Sequence, residues 1–283
     1  MITAENIFDN FKFPTSGLEK GLQVIHITTP AAQLLCCQHD ENIETVLARD
    51  DLKTFDQIPV KEQETIIGLL KKRECPEGAK GAARKHMQPL GEKTLVSADT
   101  PLLDFIQDDS LDRIVISGIN IYGLVTRSDL LKLPVSLLGF ALTMHAETLM
   151  LNIIRSTRIS AEIWLPWVPR HKAEIQSTYD RLVNKRSELD KLELTYITDK
   201  SEILGKLATS EDPGLEEFTS YLPEKSFIDQ LKYITALRNS SAHTGNTSDH
   251  DDILQELLNQ LRITHKWIEG IEQWRTATAN TPR

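Results

Sequence analysis

Cysteine is scarce in this chain: among 283 residues only Cys36, Cys37 and Cys75 carry a thiol. Three cannot all pair internally, and two of them are adjacent. Cys36 and Cys37 close the apolar run from Ala31, which suits buried thiols in a reducing compartment, so a cytoplasmic protein is expected. No apolar run is expected to approach a membrane span, and Met1 to Asn6 lacks the basic-then-apolar pattern of a secretion signal. A Walker phosphate loop and a nucleophilic Cys or Ser arrangement are also missing. Positive charge is in short supply as well. The net charge of −9 argues against broad, sequence-blind binding to nucleic acid, although it leaves room for a small RNA site with local Arg and Lys. What remains is ordinary globular material, 40% apolar and 26% charged, with length enough for two domains.

After an unpatterned lead-in over residues 1–23, one unit is written twice. Asp40, Glu41, Asn42 and Ile43 begin a helical pattern through Val46 and Leu47. Asp99, Thr100, Pro101 and Leu102 begin the matching one through Phe105 and Ile106. Asp as a cap and Pro at an early position are helix-start residues. Each helix leads into a strand-turn-strand, Gln57–Val60 with Thr65–Leu70, then Arg113–Ile116 with Ile121–Val125. Val60 precedes Gly68 by the same step as Val115 precedes Gly123, so the register agrees and marks an internal repeat.

The pair resembles a tandem CBS module, two β-α-β-β-α units over residues 24–134, with repeats at about 24–75 and 92–134. Gly123-Leu124-Val125-Thr126-Arg127-Ser128-Asp129 is similar to that family's nucleotide motif, Gly-x-x-Ser/Thr-x-x-Asp. A hydroxyl and backbone N–H groups at a helix start suit phosphate, and a carboxylate one turn on suits two ribose hydroxyls. The resemblance implies an adenine nucleotide (ATP, ADP or AMP) held by Gly123, Thr126, Arg127 and Asp129, with Thr126 on phosphate and Asp129 on ribose. The competing reading is that Thr126 or Ser128 caps the next helix and Asp129 favours its dipole. The first repeat departs from the motif. It carries Lys71 where the hydroxyl belongs and Glu74 in place of Asp, so one intact and one degraded site are expected. Between the repeats, Cys75 to Pro89 reads as a long exposed connection. With Lys71, Lys72, Arg73, Lys80, Arg84 and Lys85 it is the most basic stretch, either a solvated loop or a flap over phosphates or RNA.

Beyond Pro134 the pattern turns helical throughout. Residues 135–154 are apolar on nearly every side, which implies burial by several partners, among them a second copy across a dimer interface. Glu147 is the polar exception, a partner for Arg238 or His243 or half of a buried structural salt bridge. Pro169 allows a helix through Ile175, Tyr179, Leu182 and Leu189. Glu211 to Gly214 reads as a turn leading to Leu215 and Phe218. After Pro223, the residues Phe227, Ile228, Leu231, Ile234 and Leu237 mark one buried helix face. A last helix runs from Ile253 to Trp274, opened by Ser248 to Asp252, and residues 276–283 form a loose tail.

The motif helix ends on Leu237-Arg238-Asn239-Ser240-Ser241-Ala242-His243. Arg is a permanent cation with a planar donor fork suited to phosphate, and His exchanges a proton near neutral pH. Arg, Asn and Ser are also ordinary residues for a helix C-terminus. A bundle over 135–275 with Arg238, Asn239 and His243 between its last long helices resembles the HEPN family. That resemblance implies a homodimer whose paired motifs cut RNA without metal, or only bind nucleotides or partners. His243 would serve as base or acid, Arg238 would stabilise phosphate charge, and Asn239 would orient them. The position of a Tyr modified in some members is Gly245 here. A metal site of His243, Asp249, His250, Asp251 and Asp252 is the rival use, but its spacing fits no standard zinc pattern. The expected chain is therefore α+β, a tandem CBS pair followed by an all-α HEPN-like bundle. The expected function is a nucleotide-regulated, metal-independent ribonuclease that spares DNA and binds no membrane. The alternative is a non-catalytic nucleotide-sensing interaction module.

Overall fold

The paired hairpins form in the register that the spacing implies: Val60 pairs with Gly68, and Val115 with Gly123. The computed structural model describes residues 21–185, 189–210, 222–242 and 250–279, with backbone alone for 241, 242, 250, 278 and 279. The chain is mixed α+β and divides between Leu138 and Gly139 into two units.

The first unit holds two four-stranded sheets. In sequence the strands are β1 (Thr29–Pro30), β2 (Cys37–Gln38), β3 (Gln57–Glu62), β4 (Thr65–Lys71), β5 (Gln88–Pro89), β6 (Leu95–Ser97), β7 (Arg113–Ser117) and β8 (Asn120–Val125). Their orders are β2-β3-β4-β5 and β1-β8-β7-β6. Each repeat therefore gives its first short strand to the other repeat's sheet: Pro30 lies against Gly123, and Pro89 against Gly68. This close approach explains both glycines. A Cβ on Gly123 would collide with the Thr29 carbonyl oxygen, and one on Gly68 with that of Gln88. Ile66 and Leu69 of one sheet share a core with Ile114 and Leu124 of the other, which joins the repeats by apolar burial.

Helices α1 (Ile43–Ala48) and α2 (Leu102–Gln107) stand where the pattern places them. The cap of α1 is Asn42, whose side chain accepts from Glu44 N–H at 2.9 Å, rather than Asp40. The closing helix expected of the first repeat is replaced by a 3₁₀ turn, Lys72–Glu74. Pro76 forces Cys75 into an extended conformation, and the Lys72 ammonium is held by the Leu52 carbonyl at 2.6 Å. The connection to the second repeat is the exposed loop expected only in part: Lys80, Arg84 and Lys85 are exposed, but its backbone is fixed. Gly81 O accepts from Ile43 N–H, while Ala83 and Arg84 donate to Glu41 and His39, all at 2.8–3.0 Å. Ala79 and Ala83 enter the first repeat's core. Cys37 is buried, and burial raises its thiol to about 11, whereas Cys36 is half-buried.

In the second part of the chain, α3 (Leu133–Ser156) begins with Pro134 in its first turn. Two expectations change here. By length and composition alone α3 is long and apolar enough to cross a membrane, although more than half of its most apolar stretch is buried inside the chain. Nor is it covered on every side. Leu137, Phe140 and Met144, spaced by three and four residues, are 47, 58 and 41% exposed. Helices α4 (Ala161–Trp164) and α5 (Lys172–Leu182) follow. Leu189 is buried but lies beyond α5, just before a 3₁₀ turn that Asp190 opens by accepting from Leu192 N–H. Helix α6 spans Ile197–Thr209.

The motif helix is two helices, α7 (Lys225–Asp229) and α8 (Leu231–Ala242). At the break, the Trp267 indole donates to Phe227 O at 2.8 Å, the acceptor that a continuous helix would offer to Leu231. Leu231, Ile234 and Leu237 keep the buried face expected of them. Helix α9 (His250–Ala279) buries Leu254, Leu258, Leu261, Trp267, Ile268 and Ile271 but leaves Ile253 partly exposed. It continues past Trp274 into the expected tail, since no breaker occurs before Pro282. The turn expected at Glu211, with Leu215 and Phe218, lies outside the described residues.

Candidate functional site

The motif Gly123 to Asp129 occupies the exit of β8 and a 3₁₀ turn, Arg127–Leu131, at the junction where a phosphate site was expected. Its carboxylate is already engaged within the chain. One Asp129 oxygen accepts from Thr126 N–H at 2.6 Å and from the Thr126 hydroxyl at 3.0 Å. The other meets the Lys132 ammonium at 2.6 Å, and Lys132 also donates to the Ile27 carbonyl at 2.6 Å. Arg127 is half-buried and its N–H donates to Asp112 at 3.2 Å. Asp129 thus caps the turn after β8 from inside it and, through Lys132, ties that turn to the backbone just before β1, whereas the capping expected of this motif fell to Thr126 or Ser128. A nucleotide that used Asp129 would have to replace Thr126 or Lys132 as its partner.

The equivalent positions of the first repeat carry an ion pair instead: Lys71 lies 3.8 Å from Glu74, which also accepts from the Gln88 amide at 2.6 Å. No hydroxyl is offered at Lys71, so the asymmetry seen in the sequence persists in space.

In the helical unit, Arg238 and Asn239 are exposed near the C-terminal end of α8. His243 and Gly245 lie outside the described residues, as do two members of the rival metal set, Asp249 and, for its side chain, His250. Glu147 does not serve Arg238. It pairs with Lys200 of α6 at 2.9 Å, and Lys200 is nearly fully buried and donates also to the Thr195 carbonyl at 2.5 Å.

The helical unit also holds a polar cluster that no motif in the sequence announces. The Ser201 and Thr235 hydroxyls meet at 3.3 Å between α6 and α8. Arg238 lies one turn beyond Thr235, and Tyr196 just over one turn before Ser201. The Tyr196 phenol donates to Glu174 of α5 at 3.0 Å. That hydrogen bond and the Glu174 charge push the phenol above its ordinary pKa, with the Arg238 guanidinium as the opposing influence. The Tyr196 ring packs on His171, their centroids 4.7 Å apart. His171 Nδ1 in turn lies 2.7 Å from Asp199, a buried carboxylate that also accepts Tyr196 N–H at 2.9 Å. His171 stands 28 residues from Asp199, so no local spacing announces the pair. The readable signals were Pro169, two residues before His171, and an acidic residue in the first turn of α6.

No family model matches the chain, and neither does any curated protein. Among solved structures, the CBS domain of the bacterial CNNM/CorC family Mg2+ transporter in complex with ATP is 17% identical, over 43% of this chain and 92% of that one, with a TM-score of 0.35. CBSX2 in complex with AMP is 16% identical over 38% and 93%, at 0.34. The CBS domains of a transcriptional regulator from Streptococcus pneumoniae are 19% identical over 38% and 95%, at 0.32. At identities and scores this low, any reading of function rests on the chain's own residues.

Proposed function

We propose that residues 24–134 are a tandem CBS sensor of an adenine nucleotide that regulates a HEPN-type, metal-independent ribonuclease built by the helical unit as a homodimer. The observation that supports this reading is the exposed Arg238–Asn239 end of α8, five residues before His243 in sequence. A fixed cation next to proton-exchanging groups is what phosphodiester transfer to a neighbouring 2′-OH requires. Such an activity inside a reducing cytoplasm must be held in check, and a nucleotide sensor supplies the control. Purified protein is expected to cleave single-stranded RNA with chelator present, to leave 2′,3′-cyclic phosphate ends, and to spare DNA, which lacks the nucleophile.

For the sensor, ATP, ADP or AMP is expected to raise the melting temperature, because a ligand that binds only the folded state stabilises it, by about 2.7 kcal/mol at a hundredfold excess over Kd. Asp129→Ala lowers the starting stability, since a lost cap costs about 1 kcal/mol, and removes the ligand-dependent rise. Lys71→Ala keeps the rise. If no adenine nucleotide moves the melting temperature, the sensor reading fails.

A non-catalytic, nucleotide-responsive interaction module is the second reading. It requires only the exposed apolar stripe on α3 as a docking face, and no acid–base site. Pairing of two chains through that stripe is common to both readings. Phe140→Asp places a charge on it, and is expected to convert a dimer into a folded monomer in light scattering. A wild-type chain that is already monomeric at micromolar concentration excludes the pairing.

A further inference from the structure

Neither function proposed above uses the basic connection between the repeats, and its cations differ from the others of that unit. Arg49, Lys71, Arg73, Arg113 and Lys132 each meet a carboxylate, and the Lys72 ammonium is held by a carbonyl. Lys80, Arg84 and Lys85 are exposed and, among the described residues, take part in no ion pair. The exposed Lys53 and Lys93 stand singly elsewhere in the unit. Glu77 is the only carboxylate between Cys75 and Pro89, so the connection is net positive in a chain of net charge −9.

These side chains project from a pinned backbone. Gly81 O accepts from Ile43 N–H at 2.8 Å, and Ala83 and Arg84 donate to Glu41 and His39 at 2.9 and 3.0 Å. The His86 imidazole donates through Nε2 to the Lys80 carbonyl at 3.0 Å and closes the loop on itself. Gly81 has a φ of +96°, and Lys85 Nζ lies 3.8 Å from where a Cβ on it would stand. The Lys85 ammonium therefore sits over the residue next to Lys80. The backbone N–H groups of Lys80, Gly81 and Ala82 have no acceptor among the described residues. Cations and unpaired backbone donors on one fixed loop suit phosphate oxygens, and fixing them beforehand removes part of the cost of ordering.

We propose that Lys80, Arg84 and Lys85 form a docking surface for the phosphodiester backbone of single-stranded RNA. The ribonuclease reading above supplies only the choice of RNA as the polyanion. All three side chains are exposed, whereas a small ligand needs a concave site that encloses most of its surface. Contacts to phosphate hold a strand in place without reading its sequence. None of the three residues takes or gives a proton, so their part in cleavage is in KM and not in kcat.

The test is fluorescence anisotropy of a labelled 2′-O-methyl RNA oligonucleotide with the full chain, since that strand keeps its phosphates and lacks the nucleophile. Three neutralised phosphates give a slope of log K against log salt of about −2, or roughly a twentyfold loss of affinity between about 50 and 200 mM salt. The triple variant Lys80→Gln, Arg84→Gln, Lys85→Gln is expected to remove that slope, to raise KM for a cleavable strand and to keep the wild-type melting temperature. Lys93→Gln is expected to bind as wild type. A triple variant that keeps the wild-type slope overturns the inference and leaves the ribonuclease reading standing. A wild type that binds the strand through these residues but cuts none supports the docking surface and sinks the ribonuclease reading. Displacement of the strand by ATP at equal phosphate concentration assigns the loop to a nucleotide, and displacement by polyglutamate at equal charge assigns it to acidic protein; either overturns the inference. Should the triple variant not fold, lysine acylation of the wild type decides. Bound RNA is expected to protect Lys80 and Lys85 but not Lys93, and equal labelling of all three with and without RNA overturns the inference.

Discussion

His243→Ala is expected to lower RNA cleavage by about a hundred- to ten-thousand-fold, the usual cost of losing one positioned acid or base. His243 follows Ala242, the last residue of α8, and Arg238 and Asn239 are exposed one turn earlier. The buried face of α8 belongs to Leu231, Ile234 and Leu237, so Arg238 and Asn239 are not what holds the helix in place. The melting temperature and the nucleotide response of His243→Ala should therefore stay close to wild type. Arg238→Ala should be similarly damaging. Arg238→Lys should restore only part of the rate, because an ammonium lacks the planar fork that binds two phosphate oxygens at once. Cleavage that persists undiminished in His243→Ala identifies a contaminating nuclease. A wild type that cuts nothing under any nucleotide condition leaves the interaction module as the better reading.

The repeat was legible because strand pairing imposes a fixed step. Val60 with Gly68 and Val115 with Gly123 are partners across their hairpins, and both glycines are required by the strand exchanged from the other repeat. That exchange was itself invisible: β1 and β5 are two residues long and leave no alternation to read. The fixed path of the basic connection leaves no sign in the sequence for a related reason. Gly, Pro and Lys suggested an exposed loop, but three backbone hydrogen bonds to residues 39–43 fix it, and such bonds carry no side-chain signature.

In the helical unit, periodicity gave the buried faces but not the breaks or the partners. The interruption at Gln230 follows from Trp267, 40 residues after Phe227. The motif marked Arg238 by its spacing to His243. The Tyr196–Glu174 and Ser201–Thr235 hydrogen bonds link α5, α6 and α8, and only packing brings their partners together.

Glu147→Ala is expected to be the most destabilising of the substitutions considered. Lys200 is 3% exposed, and its ammonium has two acceptors, Glu147 of α3 at 2.9 Å and the Thr195 carbonyl at 2.5 Å. Removing the carboxylate leaves a cation in the interior with one neutral acceptor. Breaking a buried pair from one side typically costs about 3–5 kcal/mol. The Glu147 side chain is 26% exposed, which lets water take over part of its role, so a loss of about 2–3 kcal/mol is the better expectation here. Over a unit of this size that amounts to a fall in melting temperature of roughly 5–10 °C. Lys200→Met should be much milder, because it takes away the buried charge and leaves Glu147 within reach of solvent. The double variant Glu147→Ala with Lys200→Met should then be more stable than Glu147→Ala alone. That inequality separates an uncompensated buried cation from a simple loss of packing, since two lost contacts would add rather than cancel. Thermal melts of the three variants decide it: if Lys200→Met costs as much as Glu147→Ala, the pair stabilises the unit through packing rather than by neutralising a buried charge.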